Sequence, residues 1–371
     1  MPVNWIHQAL DFCVARICQN ARSLESFPER TENGRWVCVE RTGWWVGGHW
    51  VGLLWQAYAH TQDPDLERAA RTWATYLAPR QLDTTTHDLG FLFELSHILG
   101  HQLTGDASFL PPALTAAKSL SRRFNPRCDF FQAWGPLDAP AELRGRAIVD
   151  TMMNLNLLFW ASRQTGDPQF ARMAEAHART VMKYQVRPDF TTSHVIDFDP
   201  ESGAFLKQDT HQGFRADSCW SRGQAWAVYG FGNCFRATGD PVFLETARHL
   251  ADYAVANLPA DQVPYWDYRS PEIPDDVRDS SAAAILASGL LNLSELESGP
   301  EASSRWRSQA EVILGSLWEN YSGRGTSEPS ILIHGTRSKP QGLVDHGLIY
   351  GDYYFVEALM KLFRLTKVGL P

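Results

Sequence analysis

From Thr165 the chain reads TGDPQFARMAEAHARTVM, and the phrase returns as TGDPVFLETARHLADYAV from Thr238, TQDPDLERAARTWATYL from Thr61 and TGDASFLPPALTAAKSL from Thr104. A weaker copy, SGPEASSRWRSQAEVIL, starts at Ser298. Self-similarity of this kind marks a repeat architecture. Asp followed by Pro is the signature of a helix N-cap and first helical residue, and the Gly before it suits the end of the preceding helix. Each copy is therefore the turn of a helical hairpin. Working outward from these turns predicts helices near 4–22, 49–60, 64–78, 88–103, 107–123, 150–164, 168–185, 221–237, 241–257, 280–296, 301–319 and 351–366, which make six hairpins. First helices such as LNLLFWA (155–161) and AAAILASGLLNL (282–293) are apolar all round, whereas second helices keep one charged face. Apolar inner helices ringed by amphipathic outer ones describe an all-α, (α/α)6 barrel. An open α-solenoid fits less well, because the copies are unequally spaced and long loops intervene.

Those loops, 23–48, 124–149, 186–220, 258–279 and 320–350, each lie between a second helix and the next first helix, so all five emerge at one end of the barrel. Long irregular segments in a compact domain carry function, so the site is expected there. The short turns are expected to leave the other end closed. TTSHVIDFD followed by GAFLKQD alternates like a small β-hairpin. No linker divides the chain, and 1–371 reads as a single catalytic domain.

Composition narrows the function. With 371 residues, 44% hydrophobic and 20% charged, the chain is long and apolar enough for a large core, and a net charge of −8 gives no reason to expect nucleic acid. An anionic substrate would need a local basic pocket. The apolar runs are too short to span a bilayer, so no membrane association is expected. The N-terminus lacks the charge and apolar pattern of a secretory signal, which points to the cytoplasm. Six cysteines without CxxC spacing read as ordinary reduced thiols. The twelve histidines form no HExxH pattern, and His97 and His101 lie well inside a helix, so neither metal nor cofactor is expected. Fourteen Trp residues, several in polar or Gly-rich stretches, suit a carbohydrate cleft, where flat rings stack on sugar faces.

His87 and Asp88 open one inner helix and Asp150 opens another. Either Asp alone reads as a helix cap. Two at the same end of two inner helices, with Trp-rich loops between, also suit general acid and base work on a glycoside. Arg222 stands in the first turn of a third inner helix, where the dipole opposes a cation. It suits a substrate carboxylate, or else an ion pair with a neighbour such as Asp217. Arg278 and Asp279 read as a structural ion pair.

HDLGFLFELS, FFQAWGP, GRAIVDTMMNLNLLFWA, FDPESGAF, THQG, CWSRGQAWAVYGF, YWDY, RDSSAAAI and GDYYFVEALMKL occur in order along nearly the whole chain. Together they resemble the unsaturated glucuronyl hydrolases of glycoside hydrolase family 88. The resemblance implies the six-hairpin barrel, and a reaction on the Δ4,5-unsaturated uronic acid that polysaccharide lyases leave at a nonreducing end. It implies Asp150 as the general acid, Asp88 as its assistant, and His87, His194, Gln212, Arg222 and Trp226 as residues lining the sugar, with Trp45 and Trp134 as stacking surfaces. Gly47 stands where some members carry an acidic residue. SILIHGTRSKPQG resembles, as far as IHG, members that accept sulfated glycosaminoglycans; Ser338 matches one residue of their sulfate-contacting pattern, and Lys339 and Pro340 break its spacing, leaving Arg337 or Lys339 as the replacement. The expected partner is an unsaturated oligosaccharide, bound by a monomer or homodimer. Rival readings are an unsaturated rhamnogalacturonyl hydrolase, a sugar epimerase or isomerase, and a glycan-binding protein without catalysis.

Overall fold

The computed structural model describes residues 4–368. Its inner helices are α2 (Gly47–Thr61), α4 (Leu89–Phe93, continued by a π-helical turn Glu94–Ile98 and by Leu99–Thr104), α6 (Thr151–Thr165), α8 (Ser221–Thr238), α10 (Ser280–Leu296) and α12 (Ile349–Val368). The outer ones are α1 (Asn4–Ser23), α3 (Pro64–Leu77), α5 (Leu110–Ser121), α7 (Pro168–Tyr184), α9 (Pro241–Ala256) and α11 (Pro300–Asn320). Each inner helix packs on the next, and α12 packs on α2 to close the ring, with α1 completing the last hairpin against α12. This is the (α/α)6 barrel expected from the repeats.

The repeated phrase does what its residues dictate. Asp63, Asp106, Asp167 and Asp240 each accept a hydrogen bond from the backbone N–H two residues on, capping α3, the 3-10 turn that leads into α5, α7 and α9. The weaker copy caps α11 with Gly299 and has no side-chain bond there. Inner helices are buried around their whole circumference over long stretches, Ser221–Cys234 in α8 and Ser280–Ser294 in α10 among them. Backbones approach closely where glycine removes the side chain: a Cβ on Gly90 would collide with Asn154 Cα, and one on Gly230 would lie 2.5 Å from Met152 Cβ. The main apolar core runs continuously from Trp5 to Phe363.

At the loop end, β1 (Pro28–Glu32) pairs with β2 (Arg35–Cys38), and β3 (Phe124–Asn125) with β4 (Phe130–Phe131). The expected hairpin is present as β6 (Val195–Phe198) and β7 (Phe205–Asp209). A third strand not expected from the sequence, β5 (Arg146–Ile148), joins β6 in antiparallel register, with Arg146 opposite Asp197 and Ile148 opposite Val195. The Arg146 guanidinium grips the Asp197 carboxylate through two bonds of 2.7 and 2.9 Å and holds that register. One expectation fails: the turn end is not sealed, because a cavity opens there between α4, α6, α8 and α12. Short turns fix where the chain reverses; they do not fill the bore.

Candidate active site

Asp88 and Asp150 occupy N-cap positions of α4 and α6, yet neither carboxylate makes a capping bond. At the turn end the same residue type in the same position does cap. The difference frees both loop-end carboxylates for other partners. Asp88 accepts from the Thr86 hydroxyl at 2.7 Å and lies 3.3 Å from His87 Nε2. Asp150 has His194 Nε2 3.6 Å from its Oδ2, and both of these buried atoms lack a hydrogen-bond partner.

The β5–β6 register explains the second pairing. Asp150 follows β5 by two residues, His194 immediately precedes β6, and the Val149 N–H bonds the His194 carbonyl at 3.0 Å, so sheet pairing delivers the carboxylate to the imidazole. His194 Nδ1 accepts the backbone N–H groups of His211 and Gln212, both at 3.1 Å. Nδ1 therefore carries no proton, and the ring is a neutral donor through Nε2. Burial, reinforced by the positive groups around it, holds its pKa well below the ordinary histidine value. Asp150 is displaced the other way: burial first, then the charge of Asp88, pushes its carboxyl up to about 7 against the pull of Arg222.

His87, Asp88 and Asp150 line a cavity of about 430 Å³ walled by Trp45, Trp134 and Trp220 and by three arginines, Arg80, Arg222 and Arg337. That is the local basic pocket an anionic substrate would need in a chain of net charge −8. Arg222 is buried beneath the faces of Trp220 and Tyr350 and pairs with Asp279, while donating to the carbonyls of Thr336 and Arg337 at 2.7 Å each. The ion-pair alternative for Arg222 holds with Asp279 in place of Asp217, which pairs with Arg215, and the expected Arg278–Asp279 pair is corrected, since Arg278 turns to Asp261. Gln212 lines the cavity and fastens the last loop through a 2.8 Å bond to the Arg337 carbonyl. His87 is buried on the Thr151 hydroxyl, and burial lowers its pKa.

His194, Trp226 and Ser338, all expected to contact the substrate, do not line the cavity; His194 is buried behind Asp150. The Trp226 ring is buried between Phe91 and Tyr354, at 5.3 and 5.2 Å. Ser338 is buried in the turn it closes with Leu343. Lys339 pairs with Glu272 at 2.6 Å and with Asp276, away from the cavity, so Arg337 is the cation of that loop that faces it. Sequence reading also missed Trp44, Thr86 and Gln341 as lining residues. Trp44 has a positive φ of 44°, a costly conformation for a bulky side chain that clusters at functional sites. No local sequence signal marks it. Among the described residues no cluster of three His, Cys, Asp or Glu could hold a metal ion, and no helix is long and apolar enough to cross a membrane.

The sequence pattern of Glycosyl Hydrolase Family 88 matches residues 19–297. The chain belongs to glycosyl hydrolase family 88. Among its family 88 relatives, the unsaturated glucuronyl hydrolase of Bacillus sp. (strain GL1) is 39% identical over 355 residues, 93% of this chain and 94% of that protein. The unsaturated chondroitin disaccharide hydrolase of Streptococcus pyogenes serotype M1 is 32% identical over 367 residues, 97% and 91% of the two chains. A solved structure of UGL with dGlcA-Glc-Rha-Glc superposes with a TM-score of 0.92 at 37% identity, covering 96% of each chain. Family 88 membership makes this protein a glycosidase, and the resemblance read from its motifs holds over the length of the barrel.

Proposed function

We propose that this protein releases the Δ4,5-unsaturated uronic acid from the nonreducing end of lyase-generated glycosaminoglycan oligosaccharides by hydrating the C4=C5 vinyl ether. The observation that carries the reading is Asp150: a carboxyl protonated near neutrality, with one buried oxygen unpartnered, beside a second carboxylate in a Trp-walled, arginine-lined cavity. Asp150 gives its proton to C4, and positive character at C5 is shared with the ring oxygen. The Asp150 carboxylate then takes a proton from the water that adds at C5. The resulting hemiketal opens and expels the aglycone. Asp88 holds sugar hydroxyls and, as a like charge, keeps Asp150 protonated. His194 supports Asp150 from behind through Nε2, Gln212 and Arg222 face the uronate carboxylate, and Trp45 and Trp134 stack on the sugars. Arg337, at the last loop, meets the aglycone and favours one bearing sulfate.

We infer one catalytic domain acting as monomer or homodimer, in the cytoplasm, on fragments already cut by a lyase. The relatives' names favour a glucuronyl over a rhamnogalacturonyl substrate. An isomerase would release no aglycone. The test follows the ultraviolet absorbance of the conjugated uronate on an unsaturated chondroitin or hyaluronan disaccharide. Absorbance should fall as amino sugar appears, and Asp150→Asn should slow it by roughly 10²–10⁴-fold, the usual worth of a positioned proton donor. Loss of absorbance only on an unsaturated rhamnogalacturonan disaccharide would replace this reading with the pectin one.

A further inference from the structure

The cavity at the turn end has the same volume as the catalytic one, about 430 Å³, within the range of small-molecule sites. It is built from the far ends of the helices that carry the catalytic residues. Asn156 and Trp160 lie 6 and 10 residues beyond Asp150 on α6, about 9 and 15 Å along the helix at 1.5 Å per residue. Along α4 and α8, Phe91 and Trp226 lie between the residues that line the two cavities, Asp88 and Arg222 on one side and Glu94 and Asn233 on the other, and their rings meet at 5.3 Å. The mouth is set by exposed Gln102 and Arg163, and the interior by Glu94, Asn156, Trp160 and Glu357.

Its chemistry selects a class of ligand. Glu94 accepts from Asn156 Nδ2 at 3.0 Å, and Glu357 accepts from the Tyr229 hydroxyl at 2.9 Å and pairs with Lys361 at 3.2 Å. The two carboxylates are set among Lys361, Arg163 and Arg236, and Arg236 is itself paired with Glu295 at 2.9 Å, so three acids face three bases and no strong excess charge favours a free cation or anion. What remains is an indole wall beside planar donors and acceptors, the set that meets a sugar's apolar face and its hydroxyls. The α4 helix interrupts its regular hydrogen bonding at this wall with the π-helical turn Glu94–Ile98, a feature that recurs at functional sites. Burial and the nearby Glu357 push the Glu94 carboxyl up to about 7, so it serves as donor or acceptor around neutrality.

We propose that this turn-end cavity is a binding site for a neutral mono- or disaccharide, separate from the catalytic cavity and independent of which glycan the enzyme cleaves. The full chain labelled with 5-fluorotryptophan tests it by fluorine NMR, the Trp160 and Trp134 resonances being assigned by Trp160→Phe and Trp134→Phe. Titration with N-acetylgalactosamine, and separately with glucose, should shift the Trp160 signal saturably with at least one of them. Glu94→Gln, and Gln102→Tyr at the exposed rim, should each weaken that binding about ten-fold, the worth of a lost buried hydrogen bond or a blocked mouth. Both variants should leave turnover of the unsaturated disaccharide unchanged. Because residue 102 is exposed, its variant folds even where the Glu94 change does not. A Trp160 signal that stays still while Trp134 moves would overturn the proposal, as would a shift indifferent to both variants.

Discussion

A proton sits on Asp150 near neutrality because its carboxylate form has lost water and faces Asp88, two effects that Arg222 only partly offsets. An acid of this kind works only while protonated, so kcat/KM should fall as pH rises through about 7. Asp88→Asn removes the like charge, which lowers the Asp150 pKa; the basic limb of the profile should move to lower pH together with a drop in rate. A limb that stays in place in the Asp88→Asn variant would mean that Asp88 does not act on Asp150 through its charge. At this scale the sequence was informative where position on a helix decides the outcome, as for the two acids at matching helix starts. Trp226 misled because it lies four residues after Arg222, on nearly the same helix face but one turn, about 6 Å, deeper. That turn carries it out of the lining. Ser338 misled for a different reason. It sits in extended backbone at φ −164°, where successive side chains point to opposite sides, so Arg337 faces the cavity and Ser338 faces away.

The hairpin turn was the most legible element, since its capping Asp, its Pro and its Gly act within a few residues. Gly105, Gly166 and Gly239 close their inner helices at φ of 73°, 75° and 72°. The first copy has Gln62 there, at φ 60°, where a Cβ is strained. Gln62→Gly should therefore stabilise the protein by about 1 kcal/mol, read as a rise in the urea midpoint without a change of slope. The inner contacts show the opposite dependence. Gly90→Ala drives a methyl into the α6 backbone at Asn154, where neither side can yield, and should cost at least about 3 kcal/mol. A smaller loss would show that α4 and α6 can separate. Less legible was β5, three residues long and joined only to a strand about fifty residues away. No local pattern reports such a pairing, yet it is what brings Asp150 to His194.

The barrel as a whole buries titratable groups of two opposite kinds, and their balance decides how stability follows pH. Among the described residues, burial lowers the pKa of six histidines: His49 and His177 to about 3, His97 to about 4, and also His87, His194 and His211. In the unfolded chain these imidazoles bind protons below about 6.5, which the folded chain does not, so they withdraw stability as pH falls through that value. Glu94, Asp150 and Asp352 are each raised to about 7, so the folded chain binds protons that the unfolded one has released. They withdraw stability as pH rises from about 4 to about 7. Between about pH 5 and 6.5 both sets act, and the four histidines displaced furthest, His49, His97, His177 and His194, outweigh the three carboxyls over the lower part of that interval. The thermal midpoint should climb over that lower part. As pH rises through about 6.5 the unfolded histidines lose their protons and their slope fades, while the folded carboxyls hold theirs up to about 7, so the midpoint should level and then decline. A midpoint that falls steadily from about pH 5 would show that the barrel hydrates its buried histidines while keeping its carboxyls dry. None of this was visible in composition, because the twelve histidines look alike until packing decides which of them lose water, His49 against α12, His97 against Phe109 and His177 against Phe131.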